Sequence, residues 1–313
     1  MAATIPNELF RPLDRTELNA ERIARPTVTY WQDAWRRLKQ NKLAMVGLAI
    51  IVLLAALAIV GPLLTPYSYE HQDLRQKNQA PSAEHWFGTD DLGRDVFTRT
   101  LYGARISLTV GVVAALLDLI IGVIYGGIAG FMAGRGKRGE QIDNVLMRIA
   151  DVLYAIPYLL VVILLLVVME PGMVPIIIAL VVTGWVNMAR LVRGQILQVK
   201  QQEFVLAAQT LGADVPRLLR KHLIPNVIGV IIVQLTFTIP NAIFIESFLS
   251  FLGLGVQAPM ASWGTMASEA VGVVFSGQWW RLFFPAFFIS LTMFAFNVFG
   301  DGLRDALDPR LRK

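Results

Sequence analysis

Cysteine is absent from the 313 residues of this chain, and histidine occurs only three times. The lack of cysteine excludes disulfide bonds, a thiolate nucleophile and cysteine-based zinc or iron–sulfur centres. The histidines, His71, His85 and His222, are scattered and do not form the H-E-x-x-H spacing of a zinc-binding helix. We therefore predict no catalytic residue, no metal site and no cofactor-binding residue in this chain.

Charged residues are also scarce: they make up 16% of the chain, hydrophobic residues make up 55%, and the mean hydropathy is +0.55. These values lie outside the usual range of soluble globular domains and indicate a protein of the lipid bilayer. The net charge of +5 does not indicate nucleic-acid binding, because the basic residues lie beside apolar runs and form no stripe with interleaved aromatics. The sequence therefore predicts the bilayer, and not nucleic acid, as a partner.

Six apolar segments are long enough to cross the hydrocarbon core, which takes about 20 helical residues at about 1.5 Å each. They cover residues 43–64, 107–131, 152–169, 174–192, 224–249 and 282–299. All are predicted to be helices, because an open strand leaves backbone groups without hydrogen-bond partners in lipid. The first begins too far from the amino terminus for a cleaved signal peptide, so we expect it to remain as an anchor. The predicted fold class is an all-α integral membrane protein with six transmembrane helices.

Lysine and arginine are distributed unequally between the connecting segments, and this distribution predicts the orientation of the chain. Most of the 28 basic residues lie before the first span, between spans two and three, between spans four and five, and after the last span. The positive-inside rule assigns these segments, and with them both termini, to the cytoplasm. The predicted domains are a cytoplasmic tail over residues 1–42 and a membrane domain over residues 43–313, with an outer loop at about 65–106.

The cytoplasmic segment at about 193–223 is long for a connection in a compact membrane domain, and its sequence predicts two short helices. The first covers about 202–211 and ends at Gly212. The second begins at Asp214, a favourable N-cap, and is expected to end at Pro225. A helix pair this short has no core of its own, so it must pack against another surface. The residues alone leave open whether that surface is a partner protein, the membrane helices or the lipid headgroups.

A resemblance to known permeases decides between those surfaces. The loop reads L-A-A at 206–208, then Gly212, then H-L-I-P at 222–225, which is similar to the E-A-A-x3-G-x9-I-x-L-P coupling signature of bacterial ABC importer permeases. In that family the loop helix lies in a groove of the ATPase subunit. The sequence departs from the signature at Leu206, where the acid is expected, and at His222 and Ile224. The residues to which the resemblance assigns ATPase coupling are Glu203, Leu206, Ala207, Ala208, Gly212, Arg217, Arg220 and Pro225.

Further strings resemble the dipeptide and oligopeptide permease family, and most closely the second permease subunit of oligopeptide importers, the OppC-like subunits. They are HWFGTDDLGRD at 85–95 with GARISL at 103–108, MRIAD at 147–151 with Pro157, SFLGLG at 250–255 with ASWGTM at 261–266, and GDGLRDALDP at 300–309. The resemblance covers nearly the whole chain from residue 41 onward. It implies the type I ABC importer permease fold and a transport subunit that is not itself an enzyme.

By the same resemblance, the chain forms a translocation pathway with a homologous OppB-like permease in the bacterial cytoplasmic (plasma) membrane. Two OppD/OppF-like ATPase subunits would bind ATP and magnesium, and an OppA-like extracytoplasmic binding protein would deliver an oligopeptide. Members of this family also carry dipeptides, nickel chelates and other small solutes, which are alternative substrates. A secondary transporter or channel and an intramembrane enzyme are disfavoured, because the sequence shows neither an inverted repeat nor a catalytic constellation.

Two acidic residues lie inside predicted spans, where a charge costs at least about 2.5–3.5 kcal/mol on insertion scales. Asp118 and Glu246 are therefore expected to face protein or water. They either line the translocation path and meet a peptide's amino terminus or hold helices together, and the second role is the more common one for such charges. The polar segments predict a charge-stapled outer elbow with Asp90, Asp91, Arg94 and Asp95, and a local ion pair of Arg148 with Asp151.

Overall fold

The computed structural model describes residues 29–308, and the regular structure of that range is helical. The helices, in chain order, are α1 Tyr30–Gln40, α2 Lys42–Leu64, α3 Val96–Met132, α4 Gly136–Ala155, α5 Tyr158–Val168, α6 Met173–Val199, α7 Glu203–Thr210, α8 Val215–Arg217, α9 Ile224–Phe251, α10 Trp263–Val271 and α11 Trp280–Leu307. Short 3-10 turns lie at Leu74–Gln76 and Val274–Ser276, and a π-helical turn lies at Leu218–Leu223.

Five helices of the described range are each long and apolar enough to cross a membrane: α2, α3, α6, α11 and the continuous helix Val215–Phe251. The remaining predicted span is the bent pair of α4 and α5, whose axes meet at 79°. The break lies at Ile156 and Pro157, because proline lacks the N–H of a continuous helix and disfavours helical geometry in the residue before it. The all-α membrane fold is confirmed, and the predicted span over 152–169 is divided at Pro157 between the end of α4 and α5.

The outer loop is shorter than predicted, because α3 begins at Val96 and not near residue 107. Asp95 caps this helix: its Oδ1 accepts hydrogen bonds from the backbone N–H of Thr98 at 2.7 Å and from the Thr98 hydroxyl at 2.8 Å. The first turns of α3 carry polar residues such as Arg99, which hydropathy assigned to the loop. With 37 residues, α3 is longer than the hydrocarbon core requires, and its outer end lies among polar groups.

The centre of the membrane domain is the close, parallel packing of α3 against α6. Three glycines spaced four residues apart on α3 meet the backbone of successive turns of α6: Gly122 lies against Trp185, Gly126 against Ala189 and Gly130 against Arg193. A Cβ atom at Gly126 would overlap the carbonyl oxygen of Ala189. Small residues therefore let the two backbones approach closely. In lipid, where the hydrophobic effect does not drive helices together, this close van der Waals packing stabilises the pair.

At the amino-terminal side, a single residue, Asn41, separates α1 from α2. Its side-chain oxygen accepts a hydrogen bond from the backbone N–H of Ala44 at 3.1 Å and so caps α2. Leu38 of α1 is buried in a cluster with Ala306 of α11, so the end of the predicted cytoplasmic tail is a packed helix. The remainder of that tail, residues 1–28, lies outside the described range, as do residues 309–313.

The outer end of the bundle is joined by a buried charge cluster around Asp90. Its Oδ2 accepts hydrogen bonds from Arg94 Nε at 2.7 Å and Arg99 Nη1 at 2.5 Å, and both arginines also contact Glu269 of α10. Burial opposes ionisation of Asp90, but the charges of Arg99 and Arg94 and the hydrogen bonds from Arg94 outweigh it and hold its pKa below the ordinary value. The cluster fastens the outer loop to α3 and α10.

Two further pairs complete this outer elbow. Asp91 Oδ1 lies 2.8 Å from Arg281 Nη2, which ties the loop to α11. His85 is buried with its Nδ1 at 2.8 Å from Asp95 Oδ2 and its Nε2 at 2.8 Å from Gln76 Oε1. The elbow that the charge spacing predicted is present, and it includes partners from α10 and α11 that are remote in sequence.

Candidate functional site

The loop between α6 and α9 begins with α7, whose end is defined by a glycine. Gly212 has a φ of 82°, in the left-handed region where a side chain is strained. The N–H of Ala213 donates to the carbonyl of Ala208 at 3.0 Å, and the N–H of Gly212 donates to that of Gln209 at 3.0 Å. This pair of bonds is a Schellman motif, which reverses the chain directly after Thr210. The predicted first helix and its glycine stop are therefore observed.

The second half of the loop differs from the prediction at its end. Asp214 caps α8 as predicted, since its Oδ1 accepts a hydrogen bond from the N–H of Arg217 at 3.2 Å. The helix then widens into the π-helical turn Leu218–Leu223 and continues into α9. Pro225 does not close the pair, because it lies directly after the π-helical turn and the helix continues past it. The loop therefore runs into a membrane span as one helix, Val215–Phe251.

One face of this loop is buried and the other is exposed. Val205, Leu218 and Leu223 are buried in a cluster with residues of α3, α6 and α9. The opposite face carries exposed apolar side chains, of which Leu211 is 87% exposed. We call this face the loop patch; its members are Phe204, Leu206, Ala207, Leu211 and Val215. Apolar side chains grouped on a surface in this way are typical of an interaction site.

Charged residues border the loop patch. Arg217, Arg220 and Lys221 are exposed, and Glu203 is exposed in the first turn of α7, where an acid favours the helix dipole. Ala208 differs from its neighbour Ala207, because it is partly buried against the inner cluster while Ala207 is exposed. Of the two alanines, only Ala207 is fully available to a partner.

Three interactions anchor the loop at the inner end of the bundle. Lys200, which follows α6, donates to the carbonyl of Gly130 at 3.0 Å and to that of Ala133, so it binds the free carbonyls at the end of α3. Burial lowers the pKa of Lys200 below its ordinary value. Arg193 forms a two-pronged pair with Asp143 of α4, with both distances at 2.6 Å. The third interaction is the ion pair between Arg190 of α6 and Asp151 of α4.

The partner of Asp151 is not the one that local spacing predicted. Its Oδ1 lies 2.7 Å from Arg190 Nη2 of α6, and the predicted pair with Arg148 is not among the ion pairs of residues 29–308. Both side chains are partly exposed, so the pair contributes little by itself. Its position shows that α4 and α6 face each other through charges at the inner surface.

Glu246, one of the two acidic residues in the spans, lies in a network of hydroxyl groups. Its side chain is fully buried, with 0% exposure. Ser107 of α3 and Ser250 of α9 donate to its two oxygens at 3.0 Å and 2.8 Å. Ser107 in turn accepts from the backbone N–H of Trp263 at 3.3 Å. The carboxyl thus links α3, α9 and the start of α10.

Asp118, the other acidic residue, has no such network. It is 4% exposed, and its Oδ1 is buried without a hydrogen-bond partner. The side chain faces Gly184 of α6, where a Cβ atom would overlap the carboxyl group. The hydroxyl of Tyr158, at the start of α5, is also buried without a partner. The two carboxyls that looked equivalent in sequence therefore have different surroundings.

Several of these residues carry no clear sequence signal. Val205 lies between two exposed apolar residues, and its burial depends on the direction of α7 relative to α6. The π-helical turn Leu218–Leu223 places both of its end residues in one buried cluster. The family string at 261–266 did include Trp263, which is buried and donates from its Nε1 to the carbonyl of Thr100 at 3.0 Å. No group of three or more acidic or histidine side chains within residues 29–308 is placed to hold a metal ion.

Comparisons with known proteins agree with this architecture. The family described as binding-protein-dependent transport system inner membrane component matches residues 126–313, and the N-terminal transmembrane domain of oligopeptide transport permease C matches residues 29–81. A chain of the inward-facing MetNI methionine ABC transporter aligns with a TM-score of 0.57 and 15% identity, covering 67% of this chain and 96% of its own. That likeness shows the fold, which is the type I ABC importer permease fold.

Curated relatives are similar over almost the whole chain. The dipeptide transport system permease protein DppC of Bacillus subtilis is 62% identical over 309 residues, covering 99% of this chain and 95% of the relative. The oligopeptide transport system permease protein OppC of the same organism is 57% identical, covering 99% of both chains. OppC of Escherichia coli K12 is 42% identical over 284 residues, covering 90% and 92%. The chain therefore belongs to the binding-protein-dependent inner membrane components and, within them, to the OppC-like permeases of dipeptide and oligopeptide ABC transporters.

Proposed function

We propose that this chain is one of two permease subunits of an ATP-driven importer of oligopeptides, and that the loop patch is its contact with an ATPase subunit. The observation that carries the proposal is the exposed apolar face of α7 and its turn, on a loop whose other face is fixed to α3, α6 and α9. A rigidly held apolar surface bordered by arginine and lysine is suited to a preformed groove. The family of the chain supplies the kind of partner.

The proposed coupling route starts at the loop patch and ends in the membrane. Closure of the ATPases on ATP would displace α7, and α8 would pass the movement through the π-helical turn into α9 without an intervening flexible joint. The free energy enters through the different affinities of the ATPases for the two states of the permease. ATP and magnesium are bound by the ATPase subunits in this proposal, and this chain makes and breaks no bond.

The remaining partners follow from membership of the family. A homologous OppB-like permease would complete the translocation pathway, OppD/OppF-like subunits would be the ATPases, and an OppA-like binding protein would deliver the peptide from outside. The proposed location is the bacterial cytoplasmic membrane, with both termini inside, because the basic residues cluster at those ends of the spans.

Reconstitution tests the function directly. The chain is co-purified with its three kinds of protein partner, placed in liposomes with ATP on the ATPase side, and supplied with a labelled oligopeptide on the other side. We expect accumulation of peptide that requires ATP and the binding protein. Accumulation by this chain alone, without ATP, would contradict the proposal and favour a secondary transporter.

The coupling role of the loop patch has its own test in Ala207→Glu. Ala207 is exposed, so the substitution leaves the inner cluster intact while placing a charge in the contact. We expect the ATPase activity stimulated by loaded binding protein, and the uptake that depends on it, to fall by about tenfold, since burying an unpaired charge costs at least about 1.4 kcal/mol. Gln201→Glu, exposed just before α7, is the matched control. Normal coupling in the Ala207 variant would remove the loop patch from the contact.

Dipeptides are a second candidate substrate, favoured by the 62% identity to the Bacillus subtilis dipeptide permease. The two candidates share one machinery and differ in substrate length. Competition of labelled oligopeptide uptake by di-, tri- and pentapeptides, with a nickel chelate as a further competitor, would rank them. Competition by the nickel chelate alone would exclude both peptide candidates.

A further inference from the structure

The row of small residues with which α3 packs against α6 includes an acidic residue where a small one would be expected. Asp118 lies four residues before Gly122 and continues the row formed by Gly122, Gly126 and Gly130. Opposite it, Gly184 leaves the space that the carboxyl occupies. The glycine on α6 thus accommodates a carboxyl, but it offers no hydrogen-bond donor to that carboxyl's free Oδ1.

Asp118 lies deep in a membrane span, where a carboxyl oxygen without a hydrogen-bond partner is costly. Asp118 lies 11 residues after the start and 13 residues before the end of the apolar run 107–131, about 17 Å and 20 Å along the helix, so it is near the middle of this span. None of the ion pairs within residues 29–308 includes Asp118. A carboxylate at this depth needs a cation or several donors, as polar groups inside membranes generally do.

Glu246 is a buried carboxyl of the same chain that does have hydrogen-bond donors. It is equally deep in the protein, yet both of its oxygens accept hydrogen bonds from serine hydroxyls on α3 and α9. The role of the Glu246 carboxyl is therefore to hold α3 and α9 together. Asp118 has no equivalent set of donors in the described chain, so helix pairing does not account for it.

A second orphaned group lies on the helix that packs near Asp118. Tyr158 packs against the buried cluster that contains Ala114 of α3, one turn before Asp118, and its hydroxyl is buried without a hydrogen-bond partner. Tyr158 opens α5 directly after the Pro157 break. Within α5, Val162 is the one fully buried side chain, so this helix is loosely held compared with α3 or α6. A movement of α5 at the break would open the space in front of the carboxyl.

We propose that Asp118 and Tyr158 form a site for a primary ammonium group, and that its ligand is the amino terminus of a peptide in transit. The inference rests on the proposed peptide import and adds a substrate contact to it. An ammonium group has three donors, and the free oxygens of Asp118 and Tyr158 are acceptors of the kind it requires. The contact forms when α5 swings outward and is lost when the helix returns, so the peptide is held at mid-membrane and then released.

Asp118→Asn is the first test, because the amide keeps the size of the carboxyl and removes its charge. In the complete complex, we expect the ATPase activity stimulated by loaded binding protein to stay within about twofold of the original. The number of peptides imported per ATP should fall by about tenfold. Glu246→Gln is the comparison: it should reduce the yield and thermal stability of the complex without changing peptides per ATP. An unchanged ratio in the Asp118 variant would overturn the proposal.

The absence of native cysteine permits a second test that needs no transport measurement. Asp118→Cys introduces the sole thiol of this chain, and a small cationic methanethiosulfonate reagent reports its access to water. We expect labelling during ATP turnover and none without nucleotide, because the proposed site opens only when α5 moves. Ala114→Cys, one turn away in a fully buried position, should stay unlabelled. Lack of labelling at position 118 in every state, or equal labelling with and without ATP, would contradict the site.

The two proposals fail in distinguishable ways. If the unmodified complex does not import peptide, the proposed function is wrong. If the unmodified complex imports peptide while Asp118→Asn preserves the coupling ratio, or Asp118→Cys is never labelled, the ammonium site alone is wrong.

Discussion

Single atoms decide how closely α3 and α6 approach. At Gly126, a Cβ would meet the rigid backbone of Ala189, and at Gly130 one would lie 2.8 Å from the carbonyl oxygen of Arg193. Gly194, also on α6, has no heavy atom within 4 Å of the corresponding position. The same residue type is therefore essential for packing at one position and dispensable at another.

Gly126→Ala should destabilise the protein, because the two backbones must separate to admit the methyl group. Overpacking of this kind costs about 1–3 kcal/mol. Gly194→Ala adds the same methyl group into open space and should leave stability unchanged or raise it slightly, since alanine favours the helix. Thermal unfolding of the two variants in the same detergent, followed by circular dichroism, compares them. Equal melting temperatures would show that the α3–α6 contact does not depend on Gly126.

For single residues, the sequence predicted which side chains avoid lipid, but it did not predict which groups they contact. It indicated that Asp118 and Glu246 avoid lipid, since the cost of exposing them depends only on residue type and depth. It could not tell them apart, because the serines that satisfy Glu246 come from two helices. Asp151 shows the same limit, since its partner Arg190 is brought to it by tertiary packing.

Helix ends were predictable where the stop signal is local. Asp214 and Gly212 act within three residues of themselves, and both were read correctly from the sequence. Pro225 was misread, because proline is compatible with the first turn of a helix as well as with its end. Val96 was missed as a helix start, because α3 extends beyond the apolar run into a polar cluster that hydropathy does not register.

The outer elbow makes a prediction about pH. A depressed carboxyl pKa at Asp90 contributes stability that is fully present above the ordinary pKa of about 3.9, and this contribution is lost as pH falls through the lower pKa of the folded state. Asp90→Asn should remove that acid dependence and cost about 3–5 kcal/mol at pH 7, because it leaves buried arginines without their counter-charge. Hydrogen exchange of the outer loop from pH 7 down to about pH 2 measures both effects, because the acid-dependent part is lost only below the ordinary pKa.

Asp91→Asn is the control for this measurement. The Asp91 side chain is 57% exposed and pairs with one arginine, while that of Asp90 is 2% exposed and pairs with two. We expect the loss of protection in the Asp91 variant to be below about 1 kcal/mol. A loss as large as that of Asp90→Asn would mean that the elbow is held by its exposed pair and not by its buried one.

The orientation of the whole molecule is a prediction from charge distribution, and single cysteines can test it. Glu84→Cys is in the outer loop and Lys137→Cys is in the first turn of α4, and both positions are exposed. With both termini in the cytoplasm, a membrane-impermeant maleimide added to intact cells should label position 84 and leave position 137 unlabelled until the membrane is opened. The reverse pattern would invert the proposed topology and place the loop patch away from cytoplasmic ATPases.

The number of spans and the fold were accessible from the sequence for a general reason: the bilayer restricts a chain to a few architectures. The bend between α4 and α5 was not, since many prolines in spans are accommodated with a mild kink. Hydrophobic periodicity locates helices but not the contacts between them. The family strings indicated such contacts, because they lie at the elbow, at Pro157 and around Trp263, where helices meet.

The continuity of α8, the π-helical turn and α9 has a mechanical consequence. The 37 residues of Val215–Phe251 behave as one lever of about 55 Å, at about 1.5 Å per residue. A tilt of about 5° about the loop end of this helix would move the opposite end through an arc of about 5 Å. Glu246 and Ser250 lie near that opposite end, next to α10. A slight rotation at the loop patch would thereby become a displacement at the other end of the span that is wide enough to break a hydrogen bond.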